Sequence, residues 1–461
     1  MALTDKEKAI NHEDGVAIKN NLNLIAEAVS TLSDGHGVNL ADLEVSPAEA
    51  AHSIGDLLVY NGFLYEVTAA IAIGDTLTEG TNISKISMED LFDGVNTQLT
   101  EDRNDIDWLT DVVANAHTDD WGVIQSMIQK GLGSQLYPVG TQFLVHHATY
   151  GDMVFDVIGH DHDIPTGKTH SMTLLMHHVI YSTQFDEREA FYYAENGLTA
   201  GTYNVTINRQ PWYAADVGKT FQFTLASDVP AGAILTWNGS YNETRDGKTV
   251  SVYATHGATS ASQTAIISEG SGGTALGNVD GTGACNIYDR TVFGSNDWEE
   301  SGLRQWLNAD VASNWWTAKT NWDRLVSYYS RPGFLYGFDS DFKAVLAETT
   351  HLNRSNEVYD SHGTKQAYST TEKIFLLSNE EVGLSSESGI TCGTVYPYYA
   401  NAQNADRIKY DISSQSTARY WWLRLPGPSG AGGERFVFTS GALDGYSAGN
   451  GFGAVAACVI A

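Results

Sequence analysis

The spacing of apolar residues changes period along this chain, and no single regular element can satisfy all of it. Residues 16–32 place Ile18, Leu22, Ile25, Val29 and Leu32 at alternating steps of four and three, an a/d seam suited to self-association of helices. Residues 52–88 then switch to period two. Leu57-Leu-Val-Tyr60, Asn61-Gly62 and Phe63-Leu-Tyr-Glu-Val67 predict a hairpin, because Asn-Gly accepts the positive φ of a tight turn. Heptads return over 88–117 with Phe92, Val95, Leu99, Ile106, Leu109 and Val113, interrupted by Asp102. One polar seam position can set register and oligomer number at some cost in stability. Two seams around a β module predict a stalk, with dimer and trimer both open.

From Leu136 the pattern is mixed. Tyr137-Pro-Val-Gly-Thr-Gln-Phe-Leu-Val and Met153-Val-Phe-Asp-Val-Ile-Gly read as paired strands, and Met172-Thr-Leu-Leu-Met as a central one. Residues 198–270 are almost wholly strand-like: Phe221, Phe223 and Leu225 alternate with polar residues, so one face is buried. They predict an antiparallel, sandwich-like domain inserted in a loop of its parent. Downstream, Ser295 or Asn296 is expected to cap a helix carrying Trp298, Leu303, Trp306 and Leu307. Asp339-Ser-Asp341 is too short for a calcium loop and suits the cap of a second helix. Lys373-Ile-Phe-Leu-Leu-Ser378 reads as a buried strand.

The ordered series Leu303-Arg-Gln-Trp-Leu-Asn, Gly333-Phe-Leu-Tyr-Gly-Phe-Asp-Ser-Asp-Phe, Phe375-Leu-Leu-Ser, Tyr396-Pro-Tyr-Tyr, Arg419-Tyr-Trp-Trp-Leu-Arg-Leu-Pro and Gly441-Ala-Leu is similar to the variable proteins of diversity-generating retroelements and their gut-phage relatives. That family has a C-type-lectin fold akin to the formylglycine-generating enzymes. The sequence departs from it at Leu425, where the family has Ser, and in the ending Gly453-Ala-Val-Ala-Ala-Cys-Val-Ile. The resemblance implies a phage tail-fibre or tail-tip protein, made in the bacterial cytoplasm and working in the virion. Its last strands, about 419–461, would vary and bind a host-surface receptor, protein or glycan.

The expected architecture is therefore multidomain α+β. A helical attachment segment (1–46) precedes a small β module (47–88) and a helical oligomerisation stalk (89–135). A C-type-lectin-like domain (136–197 and 271–461) then carries the β insert (198–270). The expected partners are other tail proteins and further copies of the chain, as a homotrimer by analogy with phage fibres.

Within the last strands, aromatics amid Gly, Ser and Asn combine rigid anchors with adaptable polar groups, as antibody paratopes do. The expected ligand contacts are Tyr420, Ser429, Glu434, Phe436, Phe438, Asp444, Tyr446, Ser447, Asn450 and Phe452. An ordinary pair of loops with Phe436, Phe438 or Phe452 in the core is the plainer alternative. In Tyr420-Trp-Trp-Leu-Arg, Trp422 and Leu423 fit a central strand, with Arg424 held by a carboxylate.

Other chemistry finds less support. With 56 acidic and 26 basic residues, a net charge of −30 opposes binding to nucleic acid and to anionic membranes. No apolar run is long enough to cross a bilayer as a helix. Met1-Ala-Leu-Thr-Asp-Lys-Glu-Lys lacks the basic start and apolar run of a signal peptide. Cys285, Cys392 and Cys458 show no metal spacing and read as buried free thiols. His160 and His162 would share a strand face, near His146, His147, His170, His177 and His178, but no third ligand is fixed by spacing. No metal or cofactor is expected. Tyr60, Phe63 and Tyr65 could form a sugar platform or a small core. Gly-x-Ser-x-Gly and His-Glu-x-x-His are absent, so the reading is a binding protein. The alternative is a tail-associated enzyme degrading host cell wall or surface polysaccharide.

Overall fold

A computed structural model describes residues 43–44, 46–61, 63–85, 120–207, 217–237, 248–257, 259–356, 365–387, 389–428 and 430–461. Both heptad segments lie outside these residues. The chain divides into two compact units, Met1–Ala114 and Asn115–Ala461.

The first unit contains a four-stranded sheet of Leu43–Glu44, Leu57–Tyr60, Phe63–Val67 and Ile83–Lys85, in chain order. Tyr60 pairs with Phe63, which fixes the two-residue turn, and Asn61 has φ 52°. Tyr65 is buried with Leu58, Val67, Ile71, Leu77 and Ile83, while half-buried Tyr60 leans on it. Tyr65 is thus core, and the sugar-platform reading loses that ring.

The second unit opens with helix Trp121–Gln129, where the Asp120 carboxylate accepts from the N–H groups of Gly122 and Val123. Trp121 packs on Phe143 and Phe342, with centroids 5.3 and 4.7 Å away, and the Gln125 amide donates to the Ala461 carbonyl. Residues 120–135 therefore belong to this unit and not to a stalk. The apolar face of this helix, Ile124, Met127 and Ile128, finds its partners more than a hundred residues downstream as well as nearby.

Two sheets frame the unit. One orders Leu346–Ala347, Ala457–Ile460, Met172–Met176, Gly151–His160 and Gln142–His147. Met172–Met176 is central and wholly buried, as its largely apolar run predicts. It pairs antiparallel with Ala457–Ile460, so the first and last parts of the unit close one sheet. The other sheet orders Ala418–Arg419, Lys409–Asp411, His178–Gln184, Gly451–Ala454, Trp421–Pro426, Gly433–Val437 and Leu443–Ser447.

The strands of the insert are hydrogen-bonded in one seven-stranded order that reaches beyond 198–270, and the sheet curls on itself, since Phe191 beside one edge lies 5.6 Å from Phe223 four strands away. It runs from Tyr192–Ala194 at one edge to Thr274–Asn278 at the other. Phe221, Phe223, Leu225, Leu235, Val250 and Val252 line its inner face, closed by Tyr288, Val292 and Phe293 of helix Tyr288–Phe293. The parent domain thus adds a helix to a core that the curled strands already enclose in part.

The 300s helix starts later than predicted. Ser301, not Ser295 or Asn296, caps Gly302–Leu307 by accepting from the Arg304 N–H. Ser295 and Asn296 are buried in loop contacts instead, and Trp298 precedes the helix while donating to Glu372. Asp339 occupies the N-cap position of Ser340–Val345 without a side-chain capping bond. Cys285, Cys392 and Cys458 are free and buried.

Candidate functional site

Strand Trp421–Pro426 is buried along its whole length between Gly451–Ala454 and Gly433–Val437. Its one cation, Arg424, makes a bidentate ion pair with buried Glu381, at 2.5 Å from Nη1 and 2.6 Å from Nη2. This is the carboxylate that the sequence required. The pair fixes the strand from which the neighbouring aromatics project.

Register then gathers the aromatics. Trp422 faces Phe436, Phe436 faces Asp444, and Glu434 faces Tyr446. Because side chains alternate, Tyr420 and Trp422 share a face with Phe436 and Phe438. Phe452 lies at the centre of the array, with ring centroids 4.6 Å from Trp422, 4.7 Å from Phe436, 4.9 Å from Tyr420 and 5.7 Å from Tyr446. Phe438 joins through Tyr420 at 4.9 Å. Neighbouring glycines leave no room for alternatives: a Cβ on Gly453 would lie 1.9 Å from a Val179 methyl, and one on Gly451 the same distance from the Ser182 hydroxyl.

The array is graded from core to solvent. Trp422 and Phe436 are buried, Tyr420, Phe438 and Phe452 are half-buried, and Tyr446 is 40% exposed. Asp444 is exposed and Asn450 half-buried beside them. Such a gradient joins a rigid base to accessible ring area, which lowers the entropy lost on binding.

Three expected contacts are corrected by burial. Phe436 is a floor to the array rather than part of its surface. Ser447 is 8% exposed and its hydroxyl donates to the Phe293 carbonyl at 2.7 Å, tying the turn down. Glu434 is fully buried, and neither carboxyl oxygen has a hydrogen-bond partner among the described residues. Burial raises its pKa well above the usual carboxyl value, and the nearby Arg435 and Arg354 offset this only in part. Period-two parity put these residues on the right face but could not say which part of that face is covered. Ser429 lies outside the described residues. On the opposite side of the strand, Arg435 forms a bidentate pair with Glu387 at 2.7 and 2.5 Å.

The histidines disperse into local contacts. His146 meets Asp152, His170 meets Asp161, and His177 meets Asp156, at 2.9, 3.0 and 2.8 Å. His160 bonds the Tyr137 carbonyl at 2.8 Å. His147 is buried against Phe334, and that burial lowers its pKa to about 4. Among the described residues no group of three or more His, Cys, Asp or Glu is placed to hold a metal ion.

His162 is the arrangement that sequence spacing did not reveal. It stacks on Tyr396 at 3.9 Å, and its Nδ1 lies 3.2 Å from Asp163. Its Nε2 lies 3.0 Å from both the hydroxyl and the backbone carbonyl of Thr394. A nucleophile relay needs that nitrogen unprotonated and accepting. A carbonyl at the same distance instead favours a protonated ring that bridges two loops.

Residues 277–461 match a family model described only as a domain of unknown function, DUF6273. No curated protein and no solved structure matches the chain. The matched region is not a closed structure here, since its final strand, Ala457–Ile460, pairs with Met172–Met176 outside it.

Proposed function

We propose that this chain is a structural protein of a phage tail fibre or tip, which binds a host-surface receptor through the aromatic face of its C-terminal unit. On this reading the unit is a C-type-lectin-like domain, in which strands from both chain ends close one sheet and the last strands carry the recognition surface. The observation that carries the proposal is the continuous array of Tyr420, Trp422, Phe436, Phe438, Tyr446 and Phe452, anchored at one end and open at the other. Aromatic side chains dominate binding hot spots because they bury much area with few rotatable bonds. They suit a protein epitope or the apolar face of a sugar ring.

The test is adsorption of purified full-length chain to a panel of bacterial cells and to immobilised surface glycans. Retention on some member is expected, and Tyr446→Ala should weaken it about tenfold or more, the scale of a lost hot spot. Tyr446 is exposed, so the variant should unfold at the same temperature as the parent. Retention by no cell and no glycan would defeat the reading, as would a Tyr446→Ala variant that adsorbs like the parent. Release of soluble sugar or peptide from walls would replace recognition by hydrolysis.

A further inference from the structure

A polar cleft of about 560 Å³ opens beside this face, lined by Gly383, Ser385, Ala402, Gln403, Asn404 and Arg407. That volume lies within the range of small-molecule sites. The cleft adjoins the aromatic array: a Cβ on Gly441, in the turn after Phe438, would lie 1.6 Å from the Asn404 carbonyl oxygen.

Arg407 differs from the other buried arginines. Arg290, Arg354 and Arg424 each meet a carboxylate, at 2.8, 2.6 and 2.5 Å. Arg407 is 4% exposed, yet its hydrogen-bond partners among the described residues are all uncharged. Its Nε donates to the Val382 carbonyl at 2.6 Å, and Nη2 donates to the carbonyls of Gly383 and Ala402 at 3.1 and 2.9 Å. Nη1 has only the Asn404 side-chain oxygen, at a long 3.4 Å. A guanidinium carries five N–H donors, so one Nη1 donor is without a partner among the described residues and a second is poorly bound. The adjacent Asp406 acts on it only through space, because its carboxylate turns back to the Gln403 N–H at 2.7 Å rather than forming an ion pair. A buried cation is ordinarily paired. Arg407 lines the cleft, and its one unfilled N–H, beside Asn404 and Gln403, can donate a single charge-assisted hydrogen bond to an oxyacid.

We propose that this cleft binds a carboxylate or phosphate group, through the one unfilled Nη1 N–H of Arg407 with Asn404 and Gln403 at its rim. The site stands apart from the receptor reading, since it needs neither the aromatic array nor a host cell. Its neighbourhood would let one acidic glycan span both, with a ring on the aromatics and its anion in the cleft. The molecule's negative field does not forbid this, because exposed charges are largely screened beyond about 8 Å at physiological ionic strength.

The experiment is isothermal titration of the full chain with D-glucuronate, glycerol 3-phosphate and, as neutral control, D-glucose. Both anions, or one of them, should bind at one site per chain, and glucose should not. Glucuronate alone would assign the site to sugar acids, and glycerol 3-phosphate alone to phosphate monoesters. Asn404→Asp places an internal carboxylate beside Nη1 and should weaken anion binding at least tenfold, a change of 1.4 kcal/mol. Gln403→Glu, on the exposed rim, should act in the same direction and is the safer variant for folding. The near-UV spectrum reports the local fold, since the Trp421 indole donates to the Arg407 carbonyl at 3.0 Å. Failure of both anions to bind, equal binding by glucose, or unchanged anion binding by both variants with parental spectra would overturn the proposal. None of these outcomes depends on adsorption to cells.

Discussion

Glu434 shows how a residue chosen for function can be held by structure. It lies beneath the aromatic face, fully buried and without a hydrogen-bond partner among the described residues. Its folded pKa is raised above the unfolded value, so the proton is held more tightly in the native state. By linkage, its contribution to stability is fully present below the unfolded pKa and is lost as pH rises through the folded one. The contribution of Glu434 should therefore fall from about pH 4 upward, by about 1.4 kcal/mol per pH unit until its folded pKa is reached. Glu434→Gln removes the ionisation and should flatten that slope, making the variant the more stable protein at pH 8. Thermal unfolding at several pH values checks this, and parallel curves for the two proteins would refute it.

Strands were the most legible elements, and what they packed against the least. The hairpin at Asn61-Gly62, the pairing of Gln142–His147 with Gly151–His160, and the burial of Trp421–Pro426 follow from local pattern and turn chemistry. Helix starts did not follow. Ser295, Asn296 and Ser301 are all plausible caps, and only the packing of Trp298 and Leu303 selects Ser301. In the candidate site, Tyr420, Phe438, Tyr446 and Phe452 lie in one array of rings. Phe436, Ser447 and Glu434 are covered, because parity assigns a face but not its depth. Arg407 was invisible, since its partners Val382, Gly383 and Ala402 come from separate loops. The need of Arg424 for a carboxylate was legible, though Glu381 as the partner was not. Leaving that cation unpaired in the core should cost about 3–5 kcal/mol. Glu381→Gln should accordingly lower the denaturant midpoint with little change in slope, as read by equilibrium unfolding. A parental midpoint would mean that the pair is not what holds the strand.

The second unit, Asn115–Ala461, has its own framing sheets and its own core, so assembly need not be coupled to its folding. The segments with heptad spacing, 16–32 and 88–117, precede nearly all of it, and on our reading they alone gather the chains. Removing residues 1–114 should then leave the near-UV spectrum and anion binding of the unit unchanged while reducing the sedimenting species from an oligomer to one chain. Adsorption to a receptor-bearing surface should fall far more than affinity for a soluble ligand, because linked sites rebind at a high effective concentration. A truncated chain that still sediments as an oligomer would place the assembling surface within Asn115–Ala461. The exposed Leu144, on the edge strand Gln142–His147, would then be the first place to look for it, since an unpaired strand edge invites a neighbour.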